Sequence, residues 1–399
     1  MAHLIISDIR IQRTSGKSRL CADIHWRSRT RSLWFEVDHK YEEYLSTERA
    51  DAFLVALLPF AMLNNLNMRV DASVSEKLIY QVKTILVPTL TAHIVECHSI
   101  DIEAKCDATV LNSTHGVATA LSCGVDSFYT VLKHLNGETK GFNLSHLTYF
   151  NIMNHSQWKL YGEDASRDFT EARIRYVSPV AKRLGLQLVE VDTNFDVFYH
   201  EYALLSTATF RYFAVVLALQ KLFGKYYWSS SYSFSQFDIV LGNIAHFDLL
   251  SVYCLSNENT EFYSTGSEAT RLEKTAYISD FDITYRYLNV CWKTLYNCNT
   301  CDKCKRTMLT LYALGKLDLY NEVFDVKRFY HNIHEYLGYM LFMRDGGGDF
   351  YEEIYQCMLK RGIQIPHTAE SYARKLDSKS LWRQIKGTIK ILADLKGQR

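Results

Sequence analysis

Residues 118–135 read ATALSCGVDSFYTVLKHL, and this stretch decides the fold. An apolar run over 116–121 predicts a strand. The small residues Ser122, Cys123 and Gly124 make a tight turn, and the pattern over 127–135 is that of an amphipathic helix. Such a junction points successive backbone N–H groups and the positive end of the helix at one spot, which suits an anion. Gly124 offers backbone torsions closed to residues with a side chain and lets the chain approach phosphate oxygens closely. Ser122 and Ser127 bring hydroxyl donors. Asp126 can cap the helix or hold a magnesium ion. Any strand–turn–helix junction favours the same residue types, so the surrounding pattern has to carry the reading.

Outward from the loop, strands alternate with helices. Residues 147–152 predict a strand, 168–184 a helix, 186–191 a strand, 208–222 a helix and 226–229 a strand. That alternation is the mark of an α/β fold, a parallel sheet with helices on both faces. Three regions are expected: a small α+β accessory domain over 1–110, the α/β domain over 111–325, and a helical extension over 326–399. In the first, strands are expected over 4–12, 20–26 and 32–37 and a helix over 49–65. A strand over 68–70, a helix over 74–86 and a strand over 93–98 complete it. The extension carries the loop Gly346-Gly347-Gly348.

With 399 residues, 48% of them hydrophobic and 22% charged, the chain can bury full cores without disulfide staples. Its formal net charge is +1, which gives no general field toward nucleic acid or anionic lipid. Apolar runs fall short of the ~20 residues that cross a bilayer. The opening MAHLIISDIRIQR has charges within its apolar stretch, unlike a secretory leader. A reducing, cytoplasmic setting is expected, where clustered cysteines indicate metal rather than disulfides.

Four of the ten cysteines form such a cluster in CWKTLYNCNTCDKCKRTM, residues 291–308. Cys291, Cys298, Cys301 and Cys304 can wrap one Zn²⁺ tetrahedrally with no position left for water, a structural rather than catalytic centre. An iron–sulfur cluster is the chemical alternative.

The string Ser122-Cys123-Gly124-Val125-Asp126-Ser127 resembles the S-x-G-x-D-S signature of PP-loop ATP pyrophosphatases, with Cys123 where glycine is more usual. The Walker pattern is absent. A phosphate loop followed by a cysteine quartet is similar to the 7-cyano-7-deazaguanine synthase (QueC-like) branch, over roughly residues 112–320, with Asn299 where glycine usually follows the second cysteine. The resemblance implies a PP-loop (HUP-like) domain that cleaves ATP to AMP and pyrophosphate. It assigns ATP to Leu121, Ser122, Cys123, Gly124, Val125, Asp126 and Ser127, with Phe150, Asn151 and Ile152 over the adenine. The cofactors implied are Mg²⁺ and Zn²⁺.

Adenylation turns a carboxylate oxygen into a good leaving group, and ammonia or an amine then attacks. The substrate expected is a small carboxylate, a 7-deazaguanine or alternatively a protein or peptide acceptor. With Ala2 where an N-terminal cysteine nucleophile would stand, no built-in glutaminase is expected; ammonia is expected to come free or from a partner protein, and a homodimer or larger complex is expected. Departing pyrophosphate requires cations, and Arg211, Arg271 and Lys274 are the catalytic candidates beside Asp126 and Ser127. The polar stretch 229–233 falls at a strand end, as do His155 and His246. Two alternatives stand: a tRNA-thiolating enzyme with Cys123 or Cys254 as sulfur carrier, and a non-catalytic nucleotide-binding subunit. The basic stretch 374–399 reads as a solvated amphipathic helix, with RNA contact as its alternative.

Overall fold

The alternation around the loop builds half of one ten-stranded sheet. The computed structural model describes residues 2–152, 163–202 and 204–378. The chain divides into two compact units, residues 1–122 with 126–270, and residues 123–125 with 271–399.

The first unit contains the sheet, with strands β1 (Ala2–Thr14), β2 (Lys17–Trp26), β3 (Arg29–Asp38), β4 (Leu66–Ser75), β5 (Ile102–Asp107), β6 (Gly116–Ala120), β7 (His146–Phe150), β8 (Gln187–Thr193), β9 (Phe223–Ser229) and β10 (Glu261–Thr265). Their spatial order is β10-β9-β6-β7-β8-β3-β2-β1-β4-β5. The five strands from β10 to β8 pair in parallel throughout. Central β6 is buried on both faces along nearly its whole length, as a strand covered on both sides must be. Gly116, at its start, is required by a close approach: a Cβ there would sit 2.7 Å from the Leu222 carbonyl oxygen.

The residues expected as a separate accessory domain join this same sheet. β3 pairs antiparallel with β8, Glu36 opposite Asp192 and Val37 opposite Val191. A hairpin links β1 and β2 through Ser15-Gly16, with Gly16 at φ +74°. The helix Asp51–Leu63 is buried nearly all round. It belongs with the helix Ala208–Ala218 in the unit's single apolar core, where the Tyr199 phenol donates to Ala56 O.

Two local expectations fail. The helix begins at Glu76, a residue after β4 ends, and continues past 86 to His93 through a π-helical turn over Val82–Leu86. Pro88 has no N–H to give, and the wider turn just before it accommodates that loss. Residues 94–98 then turn rather than form a strand: Ile94 N–H still donates to Leu90 O, and Cys97 N–H to Ile94 O. Ile94 and Cys97 are buried without sheet pairing, while Val95 is exposed.

The second unit is helical, with helices Arg271–Ile278, Asp282–Tyr287, Asp302–Ala313, Val326–His331, Ile333–Asp345 and Asp349–Lys360, and further helix over 367–378. The triple-glycine segment turns between the helices Ile333–Asp345 and Asp349–Lys360, as expected. His155 and most of the basic stretch, from Lys379 on, lie outside the described residues. No described helix is long and apolar enough to cross a membrane.

Candidate functional site

From β6 the chain lays β7 and then β8 on one side, and places β9 and β10 on the other. The order reverses between β6 and β9. In open parallel sheets that reversal leaves a crevice at the carboxyl ends of the strands, where ligands bind. The segments that leave β6 and β9 at that end are 121–127 and 230–233.

Hydrogen bonding fixes the loop's shape. Leu121 N–H donates to Thr148 O at 2.9 Å. The Ser127 hydroxyl accepts from Ser122 N–H at 3.0 Å and donates to Ala120 O at 3.0 Å, so it ties the two ends of the loop together. Its proton is thereby committed to the backbone, and Ser127 acts here as a brace rather than as a hydrogen donor toward a ligand. Cys123 stands at φ +61°, in the left-handed region. The torsion anticipated for Gly124 thus falls one residue earlier, on the position where glycine is the more usual residue. The Cys123 side chain is fully buried, and its carbonyl accepts from Asn289 N–H at 2.8 Å. Ser122 is exposed and Asp126 half-buried.

Two residues that sequence reasoning missed complete this end of the sheet. Buried Arg173, on the helix Glu163–Leu184, donates from Nη2 to Ser122 O at 3.0 Å and brings a cation to the loop. The sequence carried a faint signal: Arg173 shares the inward helical face of Val177 and Val180, both fully buried. Asp248 opens the helix Asp248–Cys254 and accepts from Thr209 Oγ1 at 3.1 Å through Oδ1. Among the described residues its Oδ2 has no hydrogen-bond partner of good geometry. Burial pushes the Asp248 carboxyl up to about 7, Asp126 adding to the rise while Trp228, Thr209 and Ser230 offset part of it. No local pattern in the sequence marks Asp248, because its meeting with Asp126 depends on tertiary placement.

Among the residues expected over adenine, Phe150 is a core ring beside Tyr212 and Tyr226. Asn151 Nδ2 donates to Asp192 Oδ1 at 2.7 Å, and its carbonyl accepts from Thr193 Oγ1 at 2.7 Å. It lines a cavity of about 320 Å³ with Lys17, Glu36, Arg167 and Asp192 among its walls. Ile152 is buried, and its carbonyl accepts from Arg211 Nη1 at 3.3 Å. Arg211 is fully buried, its guanidinium 4.3 Å from the Tyr199 ring centre. Burial lowers its pKa to about 10 while Tyr199 and Asp196 act to raise it, so it stays a cation at neutral pH. Among the described residues its Nε and Nη2 have no partner, a state that costs roughly 1–3 kcal/mol for each buried donor. His246 stacks on Tyr232, ring centres 3.8 Å apart, and its Nδ1 bonds to Gln236 O.

Arg271 and Lys274 lie on the helix Arg271–Ile278 of the second unit, Lys274 buried and Arg271 5.6 Å from the Phe350 ring centre. In that unit the four expected cysteines converge, their sulfurs all within 4.8 Å of one another. Cys291 and Cys301 are 3.9 Å apart, Cys298 and Cys304 4.0 Å. Four sulfurs held at 2.3 Å around a tetrahedral metal lie about 3.8 Å apart, so the quartet fits zinc in both donor type and spacing. Lys293 N–H donates to Cys291 Sγ and Cys301 N–H to Cys298 Sγ, as thiolates require. Against the upward push of burial, the Thr300 hydroxyl and the N–H groups of Thr300 and Cys301 bring Cys298 down to about 6. Cys301 stands at the N-cap of the helix Asp302–Ala313, and burial pushes its thiol up. Asn299 stands at φ +60°, and its side-chain oxygen accepts from Asp325 N–H.

No protein-family model matches this chain, and neither does any curated protein or solved structure.

Proposed function

We propose that this chain binds ATP at the loop 121–127 and cleaves it to AMP and pyrophosphate, activating a carboxylate for attack by ammonia or an amine. The observation that carries this is the loop's position: a strand–turn–helix junction braced by Ser127, on the central strand of a parallel sheet, where the strand order reverses. A small-residue turn at that place exposes backbone N–H groups and a helix start to phosphate oxygens. Arg173 supplies positive charge to the loop, and the acidic pair Asp126 and Asp248 suits a hard divalent cation such as Mg²⁺. A metal held there would neutralise charge on the departing pyrophosphate.

The substrate carboxylate oxygen attacks the α-phosphorus, and the bond from that phosphorus to the bridging oxygen of pyrophosphate breaks. Nitrogen then attacks the acyl carbon of the mixed anhydride, AMP leaves, and the nitrogen loses a proton to solvent. Little covalent work falls on side chains, which fits a site made of positioning and charge. The cysteine quartet takes a structural zinc. The resemblance of loop and quartet to the 7-cyano-7-deazaguanine synthase branch suggests a 7-deazaguanine carboxylate as substrate. Sulfur transfer is less well supported: Cys254 is buried and its thiol pushed up to about 12, and Cys123 is buried too, whereas a sulfur carrier needs an accessible thiolate.

Exchange of labelled pyrophosphate into ATP tests this. Exchange that appears only with a carboxylate supports the ligase. Exchange only with tRNA would favour thiolation, and none with any acceptor would reduce the chain to a nucleotide-binding subunit.

A further inference from the structure

Among the described residues, nothing pairs with one complete edge of the Arg211 guanidinium. Nη1 is engaged with the Ile152 carbonyl, and the Tyr199 ring covers the face at 4.3 Å. Nε and Nη2, which form the side-on edge, are both unpartnered in a fully buried side chain. The same chain shows what that edge is built to hold: Arg13 grips the Glu42 carboxylate through Nε and Nη2. One helical turn before Arg211, the Thr207 hydroxyl is also buried and unpartnered. Arg211 N–H donates to Thr207 O, so the two residues share a face, and helical side chains lean toward the N-terminus, where Thr207 stands.

Building on the proposed ligase reading, we infer that Arg211 is the receptor for the carboxylate of the acceptor substrate, with Thr207 as an additional donor. Both vacant N–H groups would pair with the two carboxylate oxygens, and the Thr207 hydroxyl would donate to one of them. A singly charged planar group suits the place better than pyrophosphate does. Asp196, close enough to act on Arg211 electrostatically, already offsets part of its charge and opposes a multiply charged anion more than a singly charged one. Pyrophosphate is served instead by the loop and Arg173. Enclosure strengthens the pair, because charge-assisted bidentate bonds gain most where water is excluded. Thr209, two residues before Arg211, bonds to Asp248, which feels the charge of Asp126, so the receptor's helix reaches the phosphate-loop end of the sheet.

The test is calorimetric binding of benzoate and of 7-carboxy-7-deazaguanine, each beside its uncharged primary amide, with ATP titrated separately. Wild-type protein should prefer a carboxylate to its amide. Arg211→Gln should weaken the carboxylate roughly a hundredfold, erase the preference, and leave ATP affinity within about twofold. Arg211→Lys should recover only part, since an ammonium cannot pair side-on. Unchanged carboxylate binding in Arg211→Gln overturns the inference, as does a loss of ATP affinity as large as the loss for carboxylate. So does wild-type protein that binds ATP but neither carboxylate. Arg211-dependent carboxylate binding without any ATP binding would instead uphold the receptor and sink the ligase.

Discussion

Cys123 and Asn299 are the two positions where the chain departs from the glycine usual in the family its motifs resemble, and both stand in the left-handed region, at φ +61° and +60°. Glycine has no steric penalty there, and asparagine tolerates the region better than most residues. Cysteine does not, so Cys123 holds local strain of about 1 kcal/mol. Cys123→Gly should therefore be neutral or stabilising by up to about 1 kcal/mol in chemical denaturation, with the loop intact. Cys123→Val should cost more than that, and a Val variant as stable as the parent would contradict the backbone assignment. Asp248 gives a second expectation at this scale. Its carboxyl sits at about 7, well above the unfolded value near 3.9, so the native state holds the proton more tightly. Ligand-free stability should fall as pH rises from about 4 to about 7, by on the order of 4 kcal/mol at most, and Asp248→Asn should flatten that slope. Binding Mg²⁺ reverses the demand, since the metal needs the carboxylate. Mg²⁺ affinity, followed by calorimetry, should rise with pH over the same window and release a proton. A flat profile would remove Asp248 from the metal site.

The elements around the loop were legible because their signals are local. The β6–turn–helix junction, the strands and helices that follow it, and the cysteine spacing each sit within a short window. What lay beyond reach depends on partners far along the chain. β3 joins β8 across more than a hundred and fifty residues, so the first strands extend the main sheet instead of folding apart. Ile94 and Val95 are apolar and β-branched like a strand, yet they follow directly on the end of a helix. Arg173 and Asp248 gain their meaning only where the fold brings them. The quartet, by contrast, was fully stated by its spacing. Elemental analysis of protein purified without chelators should find about one zinc per chain. Cys301→Ser should lose the zinc and lower the melting temperature of the helical unit. Metal-free protein that melts like the zinc form would refute a structural centre, and visible absorbance with bound iron would point to an iron–sulfur cluster instead. In the sheet, Gly116→Ala should destabilise by about 1–3 kcal/mol in urea, since its Cβ meets backbone oxygen at 2.7 Å rather than a movable side chain.

At the scale of the whole molecule, one sheet unites the N-terminal strands with the parallel half that carries the loop 121–127, and Lys17 and Glu36 from those first strands help wall the cavity beside Asn151. The early segment thus contributes to the wall of that cavity. Which bond of ATP breaks distinguishes this architecture from an ordinary phosphate-transferring one most directly. Incubated with ATP labelled at the α-phosphorus, Mg²⁺ and an accepted carboxylate, the protein should yield labelled AMP with pyrophosphate in equal amount. Asp126→Ala, still folded by circular dichroism, should form none. Labelled ADP from the parent protein, or undiminished AMP from the folded Asp126→Ala variant, would contradict the assignment of the loop.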